Sequence, residues 1–385
     1  MPEKINKLIG DSSSVDEEVS EYEFSESNDT SSDDFIEEIS NENDIEEFLD
    51  DVDSVPINEN HNVLISRSGF EWNITPRIRT RERSHNMIPQ PSMDFLNNAA
   101  SFETIADAFG LFISNDILEE VVECTNQYRQ QYKGLLEGEI LIDELKAFMG
   151  VLLASGRANG LCISLRSVWD TEPLFKQFYY SSVISRDRFH HIYQVLRFDD
   201  KATRETRKQI SNDSFEAMRK VFNMFNMNCL NNYWPGPYLT VDERLVKFRG
   251  RCSFKVYMKS KPGRYGIKLW AAADAETSYL LNIQPYTGKL GGIRDINQGA
   301  RVVKDLVSPF YGTHRGVTTD NFFTSVPLAN KLLCNGLTLT GTMRANKKEI
   351  PDDFLKSRKR DVFSSIFGFN GDLTLVSYVP KKTTP

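Results

Sequence analysis

The sequence predicts a mixed α/β domain that follows an all-α region and a disordered, acidic N-terminal tail. Three observations support this fold class. The first 53 residues carry 20 Asp and Glu against 2 Lys. Apolar residues then recur with helical spacing from about residue 100 to 232. After Pro235 and Pro237 the pattern changes to β-rich runs with a period of two.

The tail, residues 1–60, alternates Ser, Asp, Glu and Asn with few apolar residues. It cannot bury enough surface to offset its chain entropy, so we predict disorder. The tail also hides the charge of the remainder. Residues 1–53 have a net charge of −18, whereas the other 332 residues hold 34 acids and 44 bases, a net of +10. A basic body favours a polyanionic partner.

Residues 61–99 are predicted to be a basic linker that contains Trp72, five arginines, Pro89 and Pro91. The arginines could contact phosphates, form a nuclear-import signal or belong to a solvated linker. The sequence alone does not decide among these three roles.

The region 100–232 is predicted to be helical. Asn115 or Asp116 can cap one helix and Asp143 another. Ser185 precedes an apolar stripe with helical spacing, formed by Phe189, Ile192, Tyr193 and Leu196. We expect these apolar faces to form a helical core rather than a ligand pocket.

The region 238–344 is predicted to be a ribonuclease H-like sheet domain. Strands are expected near 238–248, 265–273, 278–285, 315–320 and 337–343, with helices near 298–308 and after Ser325. Hairpins can join the first three strands antiparallel, whereas helical crossovers imply parallel pairing later. Residues 345–385 are expected to begin a further region, with a strand near 373–379.

Two aspartates stand where the pattern predicts a strand or its end. Asp242 follows the run YLTV, and Asp320 closes the run GVTTD before a turn and a helix. Carboxylates on neighbouring strands can hold divalent metal ions against a phosphodiester. The alternatives are a salt bridge from Asp242 to Arg249 or Arg251 and a turn-stabilising role for Asp320. Glu243 is expected to support the site or form a salt bridge, because adjacent strand residues point to opposite faces.

Basic residues concentrate near both aspartates. They are Lys247, Arg249, Arg251, Lys255, Lys259, Lys261, Arg264 and Lys268 around the first aspartate, and Arg344, Lys347 and Lys348 after the last strand of the pattern. Lys and Arg that neutralise phosphates supply much of the salt-sensitive affinity for DNA. We therefore predict DNA contacts here, the alternative being an ordinary solvated face.

Other function classes are not indicated. The five cysteines include no CxxC pair, which favours reduced thiols in an intracellular protein. No run approaches the 18 apolar residues of a membrane helix, so we expect no membrane partner. The glycine-rich stretches match no nucleotide-binding motif, and no small-molecule substrate is indicated. His190 and His191 diverge on a helix, so a structural role is expected for them rather than metal binding.

Five segments in collinear order closely resemble piggyBac-type transposases and the proteins derived from them. They are SRDRFHHIYQVLRFDDK (185–201), LTVDERLVKFRGRCSFKVYMKSKPGRYGIKLW (239–270), TTDNFFTSVPLANKLL (318–333), GTMRANKKEIP (341–351) and LTLVSYVPKK (373–382). Together they extend across roughly 100–382. The two segments that carry the aspartates make the resemblance specific.

The resemblance implies a helical dimerisation and DNA-binding region and a ribonuclease H-like catalytic core with an insertion. It implies metal-dependent cut-and-paste transposition at TTAA targets through DNA hairpins, with Mg²⁺ or Mn²⁺ as cofactor. By motif, Asp242 and Asp320 are the first and second catalytic, metal-binding aspartates, and Arg344 and Lys347 match residues that grip DNA. DNA as the partner, a homodimer and a nuclear location are further expectations.

The sequence departs from this family in two places. The third catalytic aspartate, in a GVDxxD-like segment, and the cysteine-rich zinc module have no counterpart, and Asp352 and Asp353 align with the region that enters the insertion. We therefore expect a transposase-derived protein with an incomplete active site, weak nonspecific DNA binding and little strand transfer. The alternatives are an N-terminal fragment of a complete transposase and a chromatin or protein-interaction module without catalysis.

Overall fold

The structure, a computed structural model, describes residues 62–76, 94–96, 102–131, 138–158, 169, 178–259, 261–288, 297–355 and 360–380. The predicted acidic tail at residues 1–60 and the arginines within 77–83 lie outside these ranges. Within the described ranges, no helix is long and apolar enough to span a membrane.

Twelve strands and nine helices are assigned within the described residues. The strands are β1 (Val63–Ile65), β2 (Glu71–Asn73), β3 (Asp94–Phe95), β4 (Tyr233–Trp234), β5 (Tyr238–Lys247), β6 (Val256–Tyr257), β7 (Tyr265–Asp274), β8 (Leu280–Pro285), β9 (Gly316–Thr319), β10 (Thr338–Gly341), β11 (Ser365–Asn370) and β12 (Leu373–Tyr378). The helices are α1 (Ile105–Phe112), α2 (Asn115–Gln131), α3 (Ile142–Ala158), α4 (Phe178–Val183), α5 (Arg186–Val195), α6 (Arg204–Ser211), α7 (Glu216–Asn232), α8 (Gln298–Val307) and α9 (Val326–Cys334).

Polar residues mark where the predicted helices begin. Ser185 accepts a hydrogen bond from the Arg188 N–H at 3.2 Å and caps α5, as predicted. Helix α2 begins at Asn115, so Asn115 and Asp116 lie in its first turn and neither is the predicted cap. Helix α3 begins at Ile142, so Asp143 lies in its first turn rather than at the cap position. There its carboxylate faces the positive end of the helix dipole, which also favours an acid.

The helices pack their apolar faces into a shared core, as their spacing predicts. Phe148 of α3 stacks on Phe189 of α5, with ring centroids 4.7 Å apart. Ile192 and His191 are fully buried in the same part of the molecule. Tyr193, which the pattern assigned to the apolar stripe, is instead 60% exposed. One hydroxyl-bearing residue of the predicted stripe therefore remains in contact with water.

Six strands form the main sheet, in the order β10-β9-β5-β7-β6, with β8 also paired to β7. Strand β7 pairs antiparallel with β5 and β8, whereas β5–β9 and β9–β10 are parallel. This is the predicted mixed arrangement, with hairpins between the first strands and helical crossovers between the later ones. The two-residue strand β6 was not predicted.

Helices α8 and α9 pack against the main sheet. Alternate residues of β5, Leu239 and Val241, and Val317 of β9 are almost fully buried. They meet Leu306 of α8 and Leu332 of α9 in one apolar cluster. Removing each such side chain from water stabilises the fold by about 1.5–3 kcal/mol. This core holds the ends of β5 and β9 in a fixed register.

A second sheet, β1-β2-β11-β12, joins segments that are far apart in the sequence. Phe369 of β11 pairs with Asn73 of β2. The buried Trp72 donates its indole N–H to the Glu349 carbonyl oxygen at 2.8 Å. Residues 62–76, which fall within the predicted linker, are therefore a hairpin paired with the last strands of the chain.

Candidate metal centre

The pairing of β5 with β9 brings the two predicted aspartates together. The strands run parallel, with Val241 opposite Thr319 at the last paired position. Asp242 and Asp320 come next on the two strands, at the point where β9 ends and β5 continues. The register alone therefore places both carboxylates at the carboxyl end of β9, an edge where open α/β sheets commonly bind ligands.

Asp242 lies on the face of β5 opposite the apolar core. Side chains alternate along a strand, and Leu239 and Val241 are buried whereas Asp242 is exposed. Beside it, Thr319 is buried, and its hydroxyl lies 2.7 Å from that of Thr324. The strand ends are thus tied to the turn that carries Asp320.

Glu243 joins the two aspartates in a group of three carboxylates. One oxygen from each of Asp242, Glu243 and Asp320 lies within 4.8 Å of the other two. Glu243 also forms the expected ion pair, because the Lys261 Nζ is 3.0 Å from its Oε1. Strand alternation predicts that Glu243 points away from Asp242. The structure brings its oxygen back to the pair because β9 has ended and its longer side chain can reach around the strand end.

Backbone N–H groups orient the two aspartates. The Glu243 N–H donates to Asp242 Oδ1 at 2.7 Å, and the Phe322 N–H donates to Asp320 Oδ1 at 2.9 Å. The Asp320 carbonyl accepts from the Thr324 hydroxyl at 2.7 Å. The backbone N–H groups use only Oδ1 of each aspartate, so Oδ2 can face a cation. Such supporting hydrogen bonds commonly orient metal-binding carboxylates.

Lys261 is a counter-charge of the group. Partial burial, together with the neighbouring Glu243 carboxylate, raises the pKa of Asp242. Burial also acts to raise the pKa of Glu243, but hydrogen bonding, chiefly from Lys261, outweighs it and the pKa is lowered. The same hydrogen bond, helped by the attraction of both aspartates, raises the pKa of Lys261. The three carboxylates outnumber the ammonium groups of Lys261 and Lys268 that act on them, and this excess of negative charge favours binding of a cation.

The donor set suits a hard divalent cation. Mg²⁺ and Mn²⁺ prefer carboxylate oxygens. Two oxygens bound to one Mg²⁺ at about 2.1 Å lie about 3 to 4 Å apart. A spacing of 4.8 Å therefore closes with side-chain shifts of about 1 Å. Asp242, Asp320 and Glu243 are the residues that can hold such an ion.

The alternative roles of the aspartates have different outcomes. Within the described residues, the Asp242 carboxylate accepts its hydrogen bond from the Glu243 N–H instead of pairing with Arg249 or Arg251. Asp320 does stabilise its turn, through the Phe322 N–H. That contact occupies one oxygen, so the turn and a bound cation are compatible.

The predicted DNA-binding residues differ in their exposure. Arg249 and Arg251 are exposed just beyond β5. Lys255 is half-buried, and its Nζ lies 3.4 Å from the Gly250 carbonyl oxygen. Arg344 and Lys347 belong to the turn after β10, where the Lys347 N–H donates to the Arg344 carbonyl.

Arg344 is directly linked to the turn of Asp320. Its Nε donates to the Asn321 side-chain oxygen at 3.2 Å, and its guanidinium lies 5.7 Å from the centre of the Phe322 ring. A phosphate that contacts Arg344 would therefore lie beside the carboxylate group. Lys268 has a different environment, since it is only 4% exposed on β7. A buried ammonium is not placed to meet a phosphate at the surface.

Three residues of the site were not predicted as site residues. Glu243 was expected only in a supporting role, Lys261 was one member of the basic cluster, and Phe322 carried no signal. The DE pair at 242–243 is the one local hint that two acids can meet here. His191, by contrast, is buried in the helical core away from this group, which agrees with its expected structural role.

Comparison with known proteins gives a consistent result. A family model described as Transposase IS4 matches residues 105–384. Human PiggyBac transposable element-derived protein 3 is 28% identical over 285 residues, covering 72% of this chain and 46% of the relative. Human PiggyBac transposable element-derived protein 2 is 27% identical over 248 residues, covering 63% and 40% respectively.

A solved structure matches as well. It is the piggyBac transposase in a synaptic complex with hairpin DNA, determined by cryo-EM, which is 38% identical with a TM-score of 0.67. The match covers 76% of this chain and 61% of that chain. The chain spans about half the length of the curated relatives it matches.

Proposed function

The chain belongs to the piggyBac transposase family, and on this premise we propose that it binds DNA and holds a divalent cation between Asp242 and Asp320. One observation carries the proposal. The parallel register of β5 and β9 gathers three carboxylate oxygens within 4.8 Å of one another at the end of the sheet. The proposed cation is Mg²⁺ or Mn²⁺.

Each residue of the site has a separate task in this proposal. Asp242 and Asp320 hold the cation through the oxygens that the backbone N–H groups do not use. Glu243 adds negative charge from its position beside Lys261. A bound ion of this kind polarises a phosphodiester and aligns the attacking oxygen. The Phe322 and Glu243 amides keep both aspartates in one orientation while DNA enters.

The proposed DNA interface is the basic surface around this site. Arg249, Arg251 and Arg344 are exposed, and Lys255 and Lys347 are half-buried. Their charges neutralise backbone phosphates without reading the base sequence. The related transposase was solved with hairpin DNA, which supports DNA as the polyanion. A nuclear location follows from DNA as the partner.

We propose that this 385-residue chain cuts and joins DNA only weakly. A metal pair that drives in-line displacement needs carboxylates to balance its charge and fix its geometry. Among the described residues, three acids meet at the site, and Glu243 is already paired with Lys261. Two aspartates suffice to bind a cation, but they hold a metal pair loosely.

Cation binding is tested by titrating Mn²⁺ calorimetrically into the wild type and into Asp242→Asn and Asp320→Asn. We expect each substitution to weaken binding at least tenfold, because losing a ligand exceeds the roughly 10- to 100-fold loss typical of supporting residues. Asp305→Asn is the matched control, since Asp305 is a surface acid of α8 paired with Arg301. Equal affinity in all four proteins would exclude the proposed site.

DNA binding is tested by measuring affinity at several salt concentrations. We expect Arg249→Gln and Arg251→Gln each to weaken binding for all sequences and to reduce the salt slope by about one. Lys331→Gln, at an exposed position of α9, is the control. A slope that is unchanged in both arginine variants would argue against this interface.

A protein-interaction module without catalysis is the second candidate. Phe367 of β11 pairs directly with Val376 of β12, and Tyr378 lies two residues further along the same face. These side chains are 47%, 51% and 53% exposed, and grouped apolar exposure is typical of interaction surfaces. A homodimer is one assembly that could cover this face. Weak DNA binding with no salt dependence would favour this candidate over the first.

A further inference from the structure

Lys268 occupies an unusual position for a lysine. It lies in the middle of β7, opposite Leu245 of β5, and is only 4% exposed. Burying an ammonium group is costly unless nearby groups compensate for the lost hydration. An apolar side chain would fill this space without the cost of burying a charge. Its surroundings therefore indicate what the charge does.

Two aromatic rings lie within cation–π distance of the Lys268 ammonium. Its Nζ lies 4.9 Å from the centre of the Phe322 ring and 5.6 Å from the centre of the Trp270 ring. Both distances are within the range of cation–π attraction, which strengthens when the cation is removed from water. The two rings differ in position, because Trp270 belongs to the same strand and Phe322 to the turn after β9. Lys268 thus fastens that turn to β7.

Phe322 is directly connected to the proposed cation ligand. Its own N–H donates to Asp320 Oδ1 at 2.9 Å, so the ring and the carboxylate belong to one short turn. Because the ring and the N–H belong to one residue, holding the ring restricts the backbone displacements at Phe322 that would reorient Asp320. A contact that fixes the Phe322 ring therefore also fixes this carboxylate.

Lys268 also acts on the other side of the site. Glu243 pairs with Trp270 across β5 and β7, and Lys268 lies two residues from Trp270 on the same face. Cross-strand partners point to the same face of a sheet, so the Lys268 ammonium lies on the face that carries the Glu243 side chain, whose negative charge it attracts.

We propose that Lys268 is a positioning residue of the cation site. It holds the Asp320 turn through its contact with the Phe322 ring, and its charge attracts the Glu243 carboxylate. This inference rests on the proposed cation-binding function. It replaces the expected contact between Lys268 and DNA with a role inside the protein. Both the positive charge of Lys268 and the aromatic ring of Phe322 are required. A neutral side chain at position 268, or a residue without a ring at position 322, removes the interaction.

The test compares Lys268→Met, Lys268→Arg, Phe322→Leu and the double variant Lys268→Met/Phe322→Leu. Lys331→Met removes an equivalent charge from an exposed position of α9 and serves as the control. Two quantities are measured: amide hydrogen exchange at Phe322 without metal, and Mn²⁺ affinity by calorimetry. Circular dichroism establishes which variants are folded. If Lys268→Met does not fold, Phe322→Leu, at a partly exposed position, carries the test.

We expect Lys268→Met and Phe322→Leu each to weaken Mn²⁺ binding about 10- to 100-fold and to speed exchange at Phe322 about tenfold. Lys268→Arg should restore part of both losses because it keeps the cation. The double variant should lose little more than Lys268→Met, since the contact with the Phe322 ring is already lost in that variant. Lys331→Met should match the wild type.

Wild-type exchange and Mn²⁺ affinity in folded Lys268→Met would overturn the inference while leaving the cation site intact. Fully additive losses in the double variant would also overturn it. If the wild type itself binds no Mn²⁺, the proposed function fails. Amide exchange at Phe322 then still decides whether Lys268 holds the turn.

Discussion

The helical region and the main sheet place their acidic side chains in opposite ways. In the helical region, the buried Asp199 accepts hydrogen bonds from Arg204 at 2.5 Å and from Arg207 at 2.6 Å. Glu144 similarly accepts two hydrogen bonds from Arg188. These acids have arginine partners and little contact with one another. Their arrangement serves to hold helices together.

In the middle of β5 and just after the end of β9, the acids are grouped with one another instead. Asp242, Glu243 and Asp320 share one small region beside Lys261. Carboxylates that lie this close repel one another, which opposes folding in the absence of a cation. This difference in pairing indicates which acids have a functional role. The acids described above in the helical region are paired with arginines, whereas these three carboxylates repel one another. A bound cation would relieve that repulsion.

Asparagine substitutions should have opposite effects in the two regions. Asp199→Asn leaves Arg204 without its acid and Arg207 with Glu216 alone, and we expect it to reduce the free energy of unfolding by about 2–3 kcal/mol. This is somewhat less than for a fully buried pair, because both arginines are partly exposed. Asp242→Asn removes repulsion, and without metal it should raise the free energy of unfolding by about 0.5 kcal/mol. Urea denaturation in chelator measures both changes.

Asp187→Asn is the control for these substitutions, because the Asp187 side chain is 81% exposed and lies 3.7 Å from Arg186. We expect almost no change in this variant. The comparison breaks down if Asp199→Asn is as stable as the wild type, or if Asp242→Asn is strongly destabilised without metal.

The main sheet could be predicted closely because its signals are local. The strand expected at 238–248 is observed at Tyr238–Lys247, and the strand expected at 265–273 is observed at Tyr265–Asp274. Ser325 caps α9, as predicted, by accepting a hydrogen bond from the Leu328 N–H. Period-two runs, a capping serine and the loop lengths determine these elements. The meeting of Asp242 with Asp320 then follows from parallel pairing.

The small sheet and the interior of the site could not be predicted, for the opposite reason. Strand β2 meets β11 across nearly 300 positions, as in the Asn370 side chain that donates to the Glu71 carbonyl. No local pattern encodes such a contact. Lys268 illustrates the same limit within the site. Its type suggested a surface contact with phosphate, but register places it on the buried face of β7.

Gly299 and Gly150 lie in helices of the two regions and differ in the space around them. A Cβ on Gly299, in the first turn of α8, would lie 2.8 Å from the Phe322 carbonyl oxygen and 3.2 Å from the Phe323 Cα. These are main-chain atoms of the Asp320 turn, so we expect Gly299→Ala to reduce the free energy of unfolding by about 2 kcal/mol. It should also weaken Mn²⁺ binding, because the turn is displaced.

Gly150 in α3 is the matched control, because a Cβ there meets no atom within 4 Å. Gly150→Ala should raise the free energy of unfolding by about 0.5–1 kcal/mol through better helix propensity. Urea denaturation of both variants gives the sign directly. Equal stabilisation by the two substitutions would show that α8 does not press on the turn of Asp320.

His191 is an exception to the pairing of polar groups in the described part of the helical region. It is fully buried, and neither ring nitrogen has a hydrogen-bond partner within the described residues. Burial lowers its pKa, and the charges of Arg188 and Arg129 lower it further, against the opposing effect of Glu144. The folded protein therefore keeps this imidazole neutral at a pH where the unfolded chain already binds a proton.

This difference makes stability depend on pH in a defined direction. Below the unfolded pKa of about 6.5, the unfolded state binds more protons, so the free energy of unfolding falls as pH decreases. The fall is at most about 1.4 kcal/mol per pH unit and ends once pH passes below the folded pKa. Urea denaturation at pH values from about 7.5 to about 5, a range that spans the unfolded pKa, gives the free energy of unfolding of each variant. The contribution of His191 is the difference in pH dependence between the variants. We expect His191→Phe to flatten this contribution and His190→Gln, at a half-buried position, to preserve it. An identical slope in His191→Phe and the wild type would show that burial of His191 does not contribute to the pH dependence of stability.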